Sequence, residues 1–287
     1  MIKKIKHAIK RKCHPHRYFP YNRYLVSHRH RFIFLAIAKN ANSFFKTAVI
    51  LNADGTEDFE PKQETGNRYL NRKPKSPVHL RNLQLLKDPS YTKIVVLRNP
   101  MKRFVSAYLD KIVSKDLVGS RYVSFVEAVQ EANGLCPDHD RSITFREFVK
   151  YVCMQTDSEQ NHHWRPQTAY LSNHVFDLYG RLEDLSDTYD FFSKRYGIDL
   201  NEISRNQVIS AKVTNYDQSQ ESNLEIDYSR WLPSELIGLP ALPTAPKLFS
   251  PDLFEIYESR YQRDIQLYAK TFDCDYNKLT EAYRGYC

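Results

Sequence analysis

The sequence predicts an α/β fold, with a central parallel β-sheet flanked by helices. Two apolar runs of strand length, at 32–37 and 93–97, are each followed by a segment whose apolar residues have helical spacing. Strands that alternate with helices along a chain are typical of a parallel sheet covered on both faces. The 287 residues, of which 41% are hydrophobic, suffice to build a core of that kind.

The remaining elements follow from the same patterns. The run "KIVVL" at 93–97 is rich in β-branched residues, as central strands are, and Pro100 suits the first turn of the next helix. Polar sequence punctuated by glycine and proline predicts loops at 53–78 and 230–250, and a loop as long as the first is often functional. Helices are expected at 43–52, 79–87, 100–116, 144–155, 183–196 and 251–270, and a further strand at 174–180.

The chain is predicted to consist of a basic N-terminal extension, 1–30, and a single domain, 31–287. The extension lacks the apolar core and cleavage site of a secretory signal, and no apolar stretch approaches the roughly 18 to 20 residues that span a bilayer. We therefore expect a cytoplasmic protein. The isoleucines of the extension have helical spacing, which allows peripheral membrane contact by a short basic helix; a solvated tail is the alternative.

Cysteine usage and charge narrow the chemistry. The five cysteines form no CxxC pair and are odd in number, which favours free thiols in a reducing compartment. The "CHPH" at 13–16 has no second cluster at zinc-like spacing, so we assign no metal. The net charge of +8 indicates an anionic partner: nucleic acid, a nucleotide with several phosphates, or an acidic polysaccharide.

The segment "AKNANS" at 38–43 has the outline of an anion-binding loop between a strand and a helix. Such a loop presents backbone N–H groups and the positive end of the helix dipole, and Lys39 and Ser43 would add a charge and a hydroxyl. The loop lacks glycine and does not end in Lys-Ser/Thr, which disfavours a site for ATP with magnesium. The alternative is a helix capped by Asn42 or Ser43, with an exposed lysine.

A second segment, "KIVVLRNPMKRFVSAYLDK" at 93–111, places Arg98 where a predicted central strand ends. A guanidinium at that position, beside helix N-termini, suits bidentate capture of a phosphate group. Ser106 and Tyr108 follow on the next predicted helix. The alternative is that Arg98 forms a structural ion pair and that Tyr108 belongs to the core.

Together these segments resemble the sulfotransferases that use 3′-phosphoadenosine 5′-phosphosulfate (PAPS), above all the carbohydrate branch with the chondroitin, HNK-1 and heparan uronyl 2-O enzymes. The family's 5′-phosphosulfate loop begins with a lysine and corresponds to Lys39, Asn40, Ala41, Asn42, Ser43 and Phe44. Its 3′-phosphate motif, Arg-(Asp/Glu/Asn)-Pro-x-x-Arg-hydrophobic-x-Ser-x-Tyr, is matched by Arg98, Asn99, Pro100, Arg103, Ser106 and Tyr108. The resemblance implies a P-loop-like sheet, similar to that of nucleotide kinases, and a donor that needs no magnesium.

The resemblance extends further along the chain. The stretch "NHHWRPQTAYLSNHVFDLYGRLEDL" at 161–185 is similar to the family's His-Trp-x-Pro segment and the strand end that follows it. A tyrosine-rich helix such as "FEIYESRYQRDIQLY" near the C-terminus is also usual there. Golgi members carry a membrane anchor and a paired-cysteine segment; here Ser172, Asn173 and His174 stand where cysteine is expected, which favours a bacterial-type cytoplasmic enzyme.

The resemblance implies in-line transfer of a sulfuryl group to a carbohydrate hydroxyl, on a polysaccharide or a glycolipid. Lys39 is expected to neutralise charge on the bridging oxygen, and Arg98 and Ser106 to hold the 3′-phosphate. A histidine suits the general base, and His79 ranks first because related 2-O and 4-O enzymes carry a histidine in that region. His163 ranks second; its alternative is a structural histidine packed against Trp164 and Tyr170.

Basic side chains are expected to line the acceptor side of the site: Arg72, Lys73, Lys75 and Arg81. A solvated loop explains them equally well. Arg181 and Lys212 are within possible reach of the nucleotide, but the sequence does not place them. Two rival functions stay open at this point: an ATP-dependent kinase on a related fold, and a non-enzymatic basic protein that binds nucleic acid or another polyanion with a steep salt dependence.

Overall fold

This computed structural model describes residues 18–114, 122–206 and 226–284, and among them is a mixed four-stranded sheet. In spatial order its strands are β1 (Tyr24–Ser27), β2 (Phe32–Leu35), β3 (Thr92–Leu97) and β4 (Leu178–Arg181). β2, β3 and β4 are parallel, whereas β1 pairs antiparallel with β2. Helices flank the sheet, so the predicted α/β fold is confirmed, with one antiparallel strand added at its edge.

The carboxyl ends of the three parallel strands meet at one edge of the sheet. In the register of the ladders, Leu35 lies opposite Val95, and Leu97 lies opposite Arg181. Because β1 is antiparallel, it begins at this edge, with Tyr24 opposite Leu35. The loops after β2 and β3 and the segment before β1 are therefore neighbours.

The helices in the described residues are mostly short. They are α1 (Asn42–Leu51), α2 (Gly66–Arg72), α3 (Pro100–Tyr108), α4 (Val123–Ala132), α5 (Phe145–Met154), α6 (Thr168–Leu171), α7 (Ser186–Tyr196), α8 (Leu200–Asn206), α9 (Pro233–Ile237), α10 (Ala245–Leu248), α11 (Pro251–Thr271) and α12 (Tyr276–Arg284). A π-helix, Leu109–Val113, continues α3, and 3₁₀ turns lie at Tyr21–Arg23, Leu83–Leu86 and Tyr228–Arg230. Of the described helices, none combines the length and apolarity that crossing a bilayer requires.

Several predicted elements differ from the structure. Helices lie inside both predicted loops: α2 inside 53–78, and α9 and α10 inside 230–250. The helix expected at 79–87 is reduced to the 3₁₀ turn Leu83–Leu86, because His79 and Leu80 are extended and pair with β1 instead. Pairing with a strand edge outweighs the weak helical pattern of this segment. The strand expected at 174–180 begins only at Leu178. The other predicted helices and strands are found with their ends displaced by a few residues.

The strand β1 lies inside the segment that the sequence assigns to the basic extension. Its residues Tyr24, Leu25 and Val26 are buried, so the sheet begins before the predicted boundary at residue 31. Three apolar residues are easily missed from sequence here, because basic residues and the polar turn "SHRHR" surround them. Residues 1–17, with the predicted amphipathic helix, lie outside the described part of the chain.

The described residues fall into two compact units. The first unit takes its residues from Met1–Arg98 and Gln167–Ala211, and it holds the sheet with α1, α2, α6, α7 and α8. The second unit takes its residues from Asn99–Pro166 and Lys212–Cys287 and is helical in its described part. Compact units need not fold independently, so the single domain expected over 31–287 stays a prediction.

In the first unit, aromatic packing fixes the start of α1 against the sheet. Phe45 of α1 stacks on Phe34 of β2, with ring centroids 4.9 Å apart. Phe192 of α7 meets Phe32 edge-on, with ring centroids 5.6 Å apart. All four rings are buried, and offset or edge-on aromatic pairs of this kind add about 0.5–1.5 kcal/mol each beyond the burial of their surface.

In the second unit, α3 begins as its sequence predicts. Asn99 caps the helix, its side-chain oxygen accepting a hydrogen bond from the Lys102 N–H at 3.1 Å, and Pro100 occupies the first turn. Phe104 then packs against Tyr257 and Tyr261 of α11, at centroid distances of 5.0 and 5.2 Å. The tyrosine-rich helix near the C-terminus therefore belongs to the core of this unit.

Candidate functional site

The loop between β2 and α1 adopts a left-handed backbone without using glycine. The φ angles of Lys39 and Ala41 are 69° and 50°. For a residue with a Cβ atom, this region costs about 1–2 kcal/mol. Strain of this kind persists only where neighbouring contacts hold it, and it is concentrated at functional sites.

The first turn of α1 has no capping side chain. Ala41 is the N-cap residue, and its side chain makes no capping hydrogen bond. The alternative interpretation of this segment requires Asn42 or Ser43 to cap the helix, and neither residue does. An uncapped turn at the positive end of a ten-residue helix suits an anion.

A buried glutamine joins this loop to the end of β3. The Oε1 atom of Gln167 accepts hydrogen bonds from the Asn40 amide at 2.6 Å and from the Arg98 backbone N–H at 3.1 Å. Its Nε2 atom donates to the Arg98 carbonyl oxygen at 2.9 Å. Asn40 also donates to the Val96 carbonyl oxygen at 2.8 Å, and both amide residues are only 1% exposed. The loop is therefore held to the sheet by buried hydrogen bonds.

Arg98 lies where β3 ends, as predicted, and its side chain reaches the same loop. Its Nη1 atom donates to the Lys39 carbonyl oxygen at 3.0 Å. Arg181 ends the neighbouring strand β4, opposite Leu97. Lys39, Arg98 and Arg181 are all half-buried, and their strands end at the same edge of the sheet. Lys212, the other residue considered for the nucleotide, lies outside the described residues.

His79, the first candidate for the general base, lies beside β1, where it forms a bridge with Leu25. Burial lowers the pKa of its imidazole, the charges of Lys46 and Arg81 lower it further, and a hydrogen bond with the Leu70 backbone opposes them. The Nε2 atom is buried, with no hydrogen-bond partner among the described residues. A neutral imidazole with an unengaged nitrogen has the properties that a general base requires.

A short hydrogen-bonded chain places Ser43 and Lys46 next to α2. Lys46 Nζ donates to the Asn67 side-chain oxygen at 2.8 Å, and the Asn67 amide donates to Ser43 Oγ at 2.6 Å. Gly66 allows α2 to come this close, because a Cβ atom there would lie 2.7 Å from the Thr47 backbone nitrogen. The contact between the two helices thus fixes both side chains.

The four residues expected on the acceptor side are exposed, and each contacts neighbouring residues on the protein surface. They are Arg72, Lys73, Lys75 and Arg81. Arg72 forms ion pairs with Glu64 and Asp58, and the Lys73 ammonium lies 2.8 Å from the Asp58 carboxylate. Arg81 Nη2 donates to the Lys75 carbonyl oxygen at 2.7 Å. Exposed pairs of this kind are weak enough to exchange partners, so the acceptor role of these residues stays a prediction.

The second unit carries Ser106, the residue expected on the 3′-phosphate, which is buried on α3. Arg103 of the same helix is only 2% exposed, and its Nη1 donates to the Arg165 carbonyl oxygen at 2.9 Å. Tyr108 is buried and donates to the Ile143 carbonyl oxygen at 3.0 Å. Tyr108 is therefore a core residue, in agreement with the plainer interpretation of its position.

The two histidines before Trp164 are half-buried in the second unit. Their ring centroids lie 4.1 Å apart, and the His163 backbone N–H donates to the Asn161 side chain at 3.0 Å. Trp164 itself is buried, 4.8 Å from Phe125 and 5.3 Å from Phe148 between ring centroids. The tryptophan thus anchors this segment in the core, and the catalytic role of His163 stays a prediction.

Sequence reasoning missed Gln167, Lys46 and Asn67. Gln167 ends the conspicuous "HHWRPQ", which was the available signal, but its partners Arg98 and Asn40 lie 69 and 127 positions away in the chain. Lys46 carried no signal, because a lysine on a helix is ordinarily solvated. Asn67 was hidden in a polar loop. Their importance depends on tertiary contacts that leave no local pattern.

The comparison with known families identifies the class of this protein. The model of the family described as "Sulfotransferase family" matches residues 22–271. The chain belongs to the sulfotransferase family. The resemblance drawn from the lysine loop and the Arg98 segment is thus confirmed, and the match begins before β1, in agreement with the place of that strand in the sheet.

Curated relatives of this sulfotransferase-family chain include carbohydrate sulfotransferase 14 from three animals. The proteins from Mus musculus and Homo sapiens are each 28% identical to it over 146 residues, which is 50% of this chain and 37% of the relative. The protein from Danio rerio is 24% identical over 186 residues, 60% of this chain and 48% of the relative. The chain therefore spans less than half of the length of these relatives. No solved structure matches it significantly.

Proposed function

We propose that this sulfotransferase-family protein transfers the sulfuryl group of PAPS to a hydroxyl group of a carbohydrate, either a polysaccharide or a glycolipid. The observation that carries the proposal is the pair of buried amides, Asn40 and Gln167, that join the lysine loop to Arg98. Two basic side chains are thereby held at one sheet edge, which suits a nucleotide with anionic groups at two positions. The carbohydrate acceptor is supported by the name of the curated relatives.

The residues present fit PAPS rather than a nucleotide with magnesium. The loop offers an uncapped helix N-terminus and Lys39, and it lacks the Lys-Ser/Thr ending that holds magnesium in the usual triphosphate loop. When bound, PAPS supplies the sulfuryl group and a 5′-phosphate as the leaving group. Lys39 neutralises the charge that develops on the bridging oxygen, and Arg98 and Ser106 hold the 3′-phosphate.

His79 acts as the general base in this proposal. As the acceptor oxygen bonds to sulfur and the bond from sulfur to the 5′-phosphate oxygen breaks, His79 takes the hydroxyl proton at Nε2. The support is its lowered pKa, caused first by burial, and the unengaged Nε2 atom. His163 is the second candidate. A cytoplasmic location, with peripheral membrane contact through the basic N-terminus, is part of the same proposal.

The first test is calorimetric binding of 3′,5′-ADP, ADP and ATP in metal-free buffer. Tight binding of 3′,5′-ADP alone is expected, and Arg98→Ala should weaken it at least about 100-fold, because one charged bidentate contact contributes about 3 kcal/mol. The substitution leaves the Gln167 hydrogen bonds in place, since these involve only the backbone of Arg98. Arg68→Ala, which removes an exposed arginine of α2, is the matched control and should bind 3′,5′-ADP as the unmodified protein does.

The same measurement separates the rival functions. Preference for ATP would favour a kinase. Equal binding of all three nucleotides, or no binding of any, would contradict the sulfotransferase proposal and favour a binder of polyanions.

A further inference from the structure

Lys46, whose charge acts on His79, and Arg23, whose charge acts on Lys46, have no role in the proposed reaction so far. Arg23 ends the 3₁₀ turn before β1, and its carbonyl oxygen accepts a hydrogen bond from the Ala36 N–H at 2.9 Å. This hydrogen bond places Arg23 at the sheet edge where the lysine loop begins. Lys46 lies one turn into α1, close enough to both Arg23 and His79 for their charges to interact.

Within the described part of the chain, no ion pair compensates the positive charges of Arg23 and Lys46. The Arg23 Nε atom is buried and lacks a hydrogen-bond partner among the described residues. Burial lowers the pKa of Lys46 to about 8, and the charge of Arg23 contributes to the shift. Two adjacent cations in a poorly solvated place destabilise a protein unless an anion joins them, so such clusters mark binding sites.

The chain itself offers a contrast. Arg72 and Lys73, in the same unit, lie on the surface and are paired with Asp58. Lys46 is instead half-buried, its ammonium held by the neutral amide of Asn67, in a contact between α1 and α2 that Gly66 makes possible. The fold therefore fixes the position of the Lys46 ammonium group, whereas no carboxylate of the described residues neutralises its charge.

We propose that Arg23 and Lys46 form a subsite for an oxyanion, a sulfate-like or carboxylate group, next to His79. The proposal rests on the proposed function, in which His79 marks the place where the acceptor hydroxyl and the sulfuryl group meet. The oxyanion then has two possible sources: the sulfuryl group of the donor, or an acid group of the acceptor sugar. Both present oxygen atoms of the kind that guanidinium and ammonium groups bind.

Nuclear magnetic resonance of lysine-labelled protein tests the subsite, with the Lys46 signal assigned by Lys46→Met. Inorganic sulfate should bind and raise the pKa of Lys46, because a bound anion favours the charged ammonium. Arg23→Gln should weaken sulfate binding about tenfold, which corresponds to the loss of about 1.4 kcal/mol. Lys73 is the internal control, and its signal should not respond. A Lys46 pKa that sulfate leaves unchanged, or unchanged sulfate binding by Arg23→Gln, would overturn the proposal.

Three further additions identify the source of the oxyanion. If PAPS raises the pKa of Lys46 and 3′,5′-ADP does not, the donor sulfuryl group occupies the subsite. If 3′,5′-ADP with glucuronate raises it and 3′,5′-ADP alone does not, an acid group of the acceptor occupies it. A protein that binds sulfate at Lys46 but does not bind 3′,5′-ADP would retain the subsite and contradict the proposed function. An experiment can therefore contradict the oxyanion subsite without contradicting the proposed sulfotransferase function, and the reverse.

Discussion

Gln167 acts through a property that few side chains have, a hydrogen-bond donor and an acceptor in one rigid group. Its oxygen accepts hydrogen bonds from the Asn40 amide and the Arg98 N–H, while its nitrogen donates to the Arg98 carbonyl oxygen. A backbone unit at a strand end is thereby bonded on both sides, although the ladder of the sheet has ended. The side chain thus continues the sheet's hydrogen bonding to the base of the arginine.

Replacing Gln167 tests this role. Gln167→Leu should lower the free energy of unfolding by about 1–3 kcal/mol for each buried group left without its partner, and should weaken 3′,5′-ADP binding as Asn40 and Arg98 lose their shared contact. Urea unfolding and calorimetry measure the two effects, with Gln84→Leu, at an exposed glutamine, as control. Unchanged stability and unchanged binding in Gln167→Leu would show that the contacts are dispensable.

His79 should titrate below the ordinary histidine value of 6.5, because burial and the charge of Lys46 disfavour its protonated form. The folded state then binds fewer protons than the unfolded state, so stability is complete above pH 6.5 and is lost as the pH falls below it. Lys46→Met should raise the pKa of His79 in a proton resonance titration. His174, whose pKa is lowered by burial and by Lys87 and Lys93, is the control and should not move. A His79 pKa that Lys46→Met leaves in place would show that the two side chains do not interact.

At the scale of single elements, the lysine loop (residues 38–43) turns with a strained left-handed backbone at positions where related loops use glycine. Left-handed backbone at Lys39 and Ala41 turns the chain from β2 into α1, and the buried Asn40 between them secures the turn. Phe45 then stacks on Phe34 and fixes the direction of the helix. The absence of glycine therefore does not indicate the absence of an anion loop.

Ala41→Gly measures this strain. Glycine should relieve about 1–2 kcal/mol of conformational energy and lose about 0.5–1 kcal/mol through the entropy of the unfolded chain, so a net stabilisation of up to about 1.5 kcal/mol is expected. Ala48→Gly, inside the same helix, should instead destabilise by about 1 kcal/mol, since glycine is a poor helix former. Urea unfolding measures both variants. Equal destabilisation by both would show that Ala41 is not strained.

For the molecule as a whole, the net charge of +8 was a weak guide to function. It allowed nucleic acid, a phosphorylated nucleotide or an acidic polysaccharide as partner, because composition does not reveal which charges are paired. In the structure, Arg72 and Lys73 are paired with carboxylates on the surface, while Arg23 and Lys46 form no ion pair with the residues that the structure describes. The surroundings of an individual charged side chain therefore say more about function than the net charge of the chain does.

The α/β class, the lysine loop and the Arg98 segment could be predicted from sequence, because apolar runs, helical spacing and short motifs are local properties of the chain. The match to the sulfotransferase family confirmed the family resemblance drawn from these segments. The strand β1 and the extended chain at His79 were missed, since β1 takes its structure from pairing with β2, and His79 takes its own from pairing with β1. The local sequence pattern does not reveal pairing between segments that are distant in the chain.

The buried hydrogen bonds of Gln167 and the uncompensated charge of Lys46 were decided by tertiary structure alone. The partners of Gln167 are distant in sequence, and Lys46 differs from an ordinary helical lysine only in its burial and its neighbours. Hydrogen bonding and desolvation depend on which groups come together in space. Sequence therefore identified the class of protein and its loops, whereas the fold determined how those loops are held and which charged side chains are desolvated.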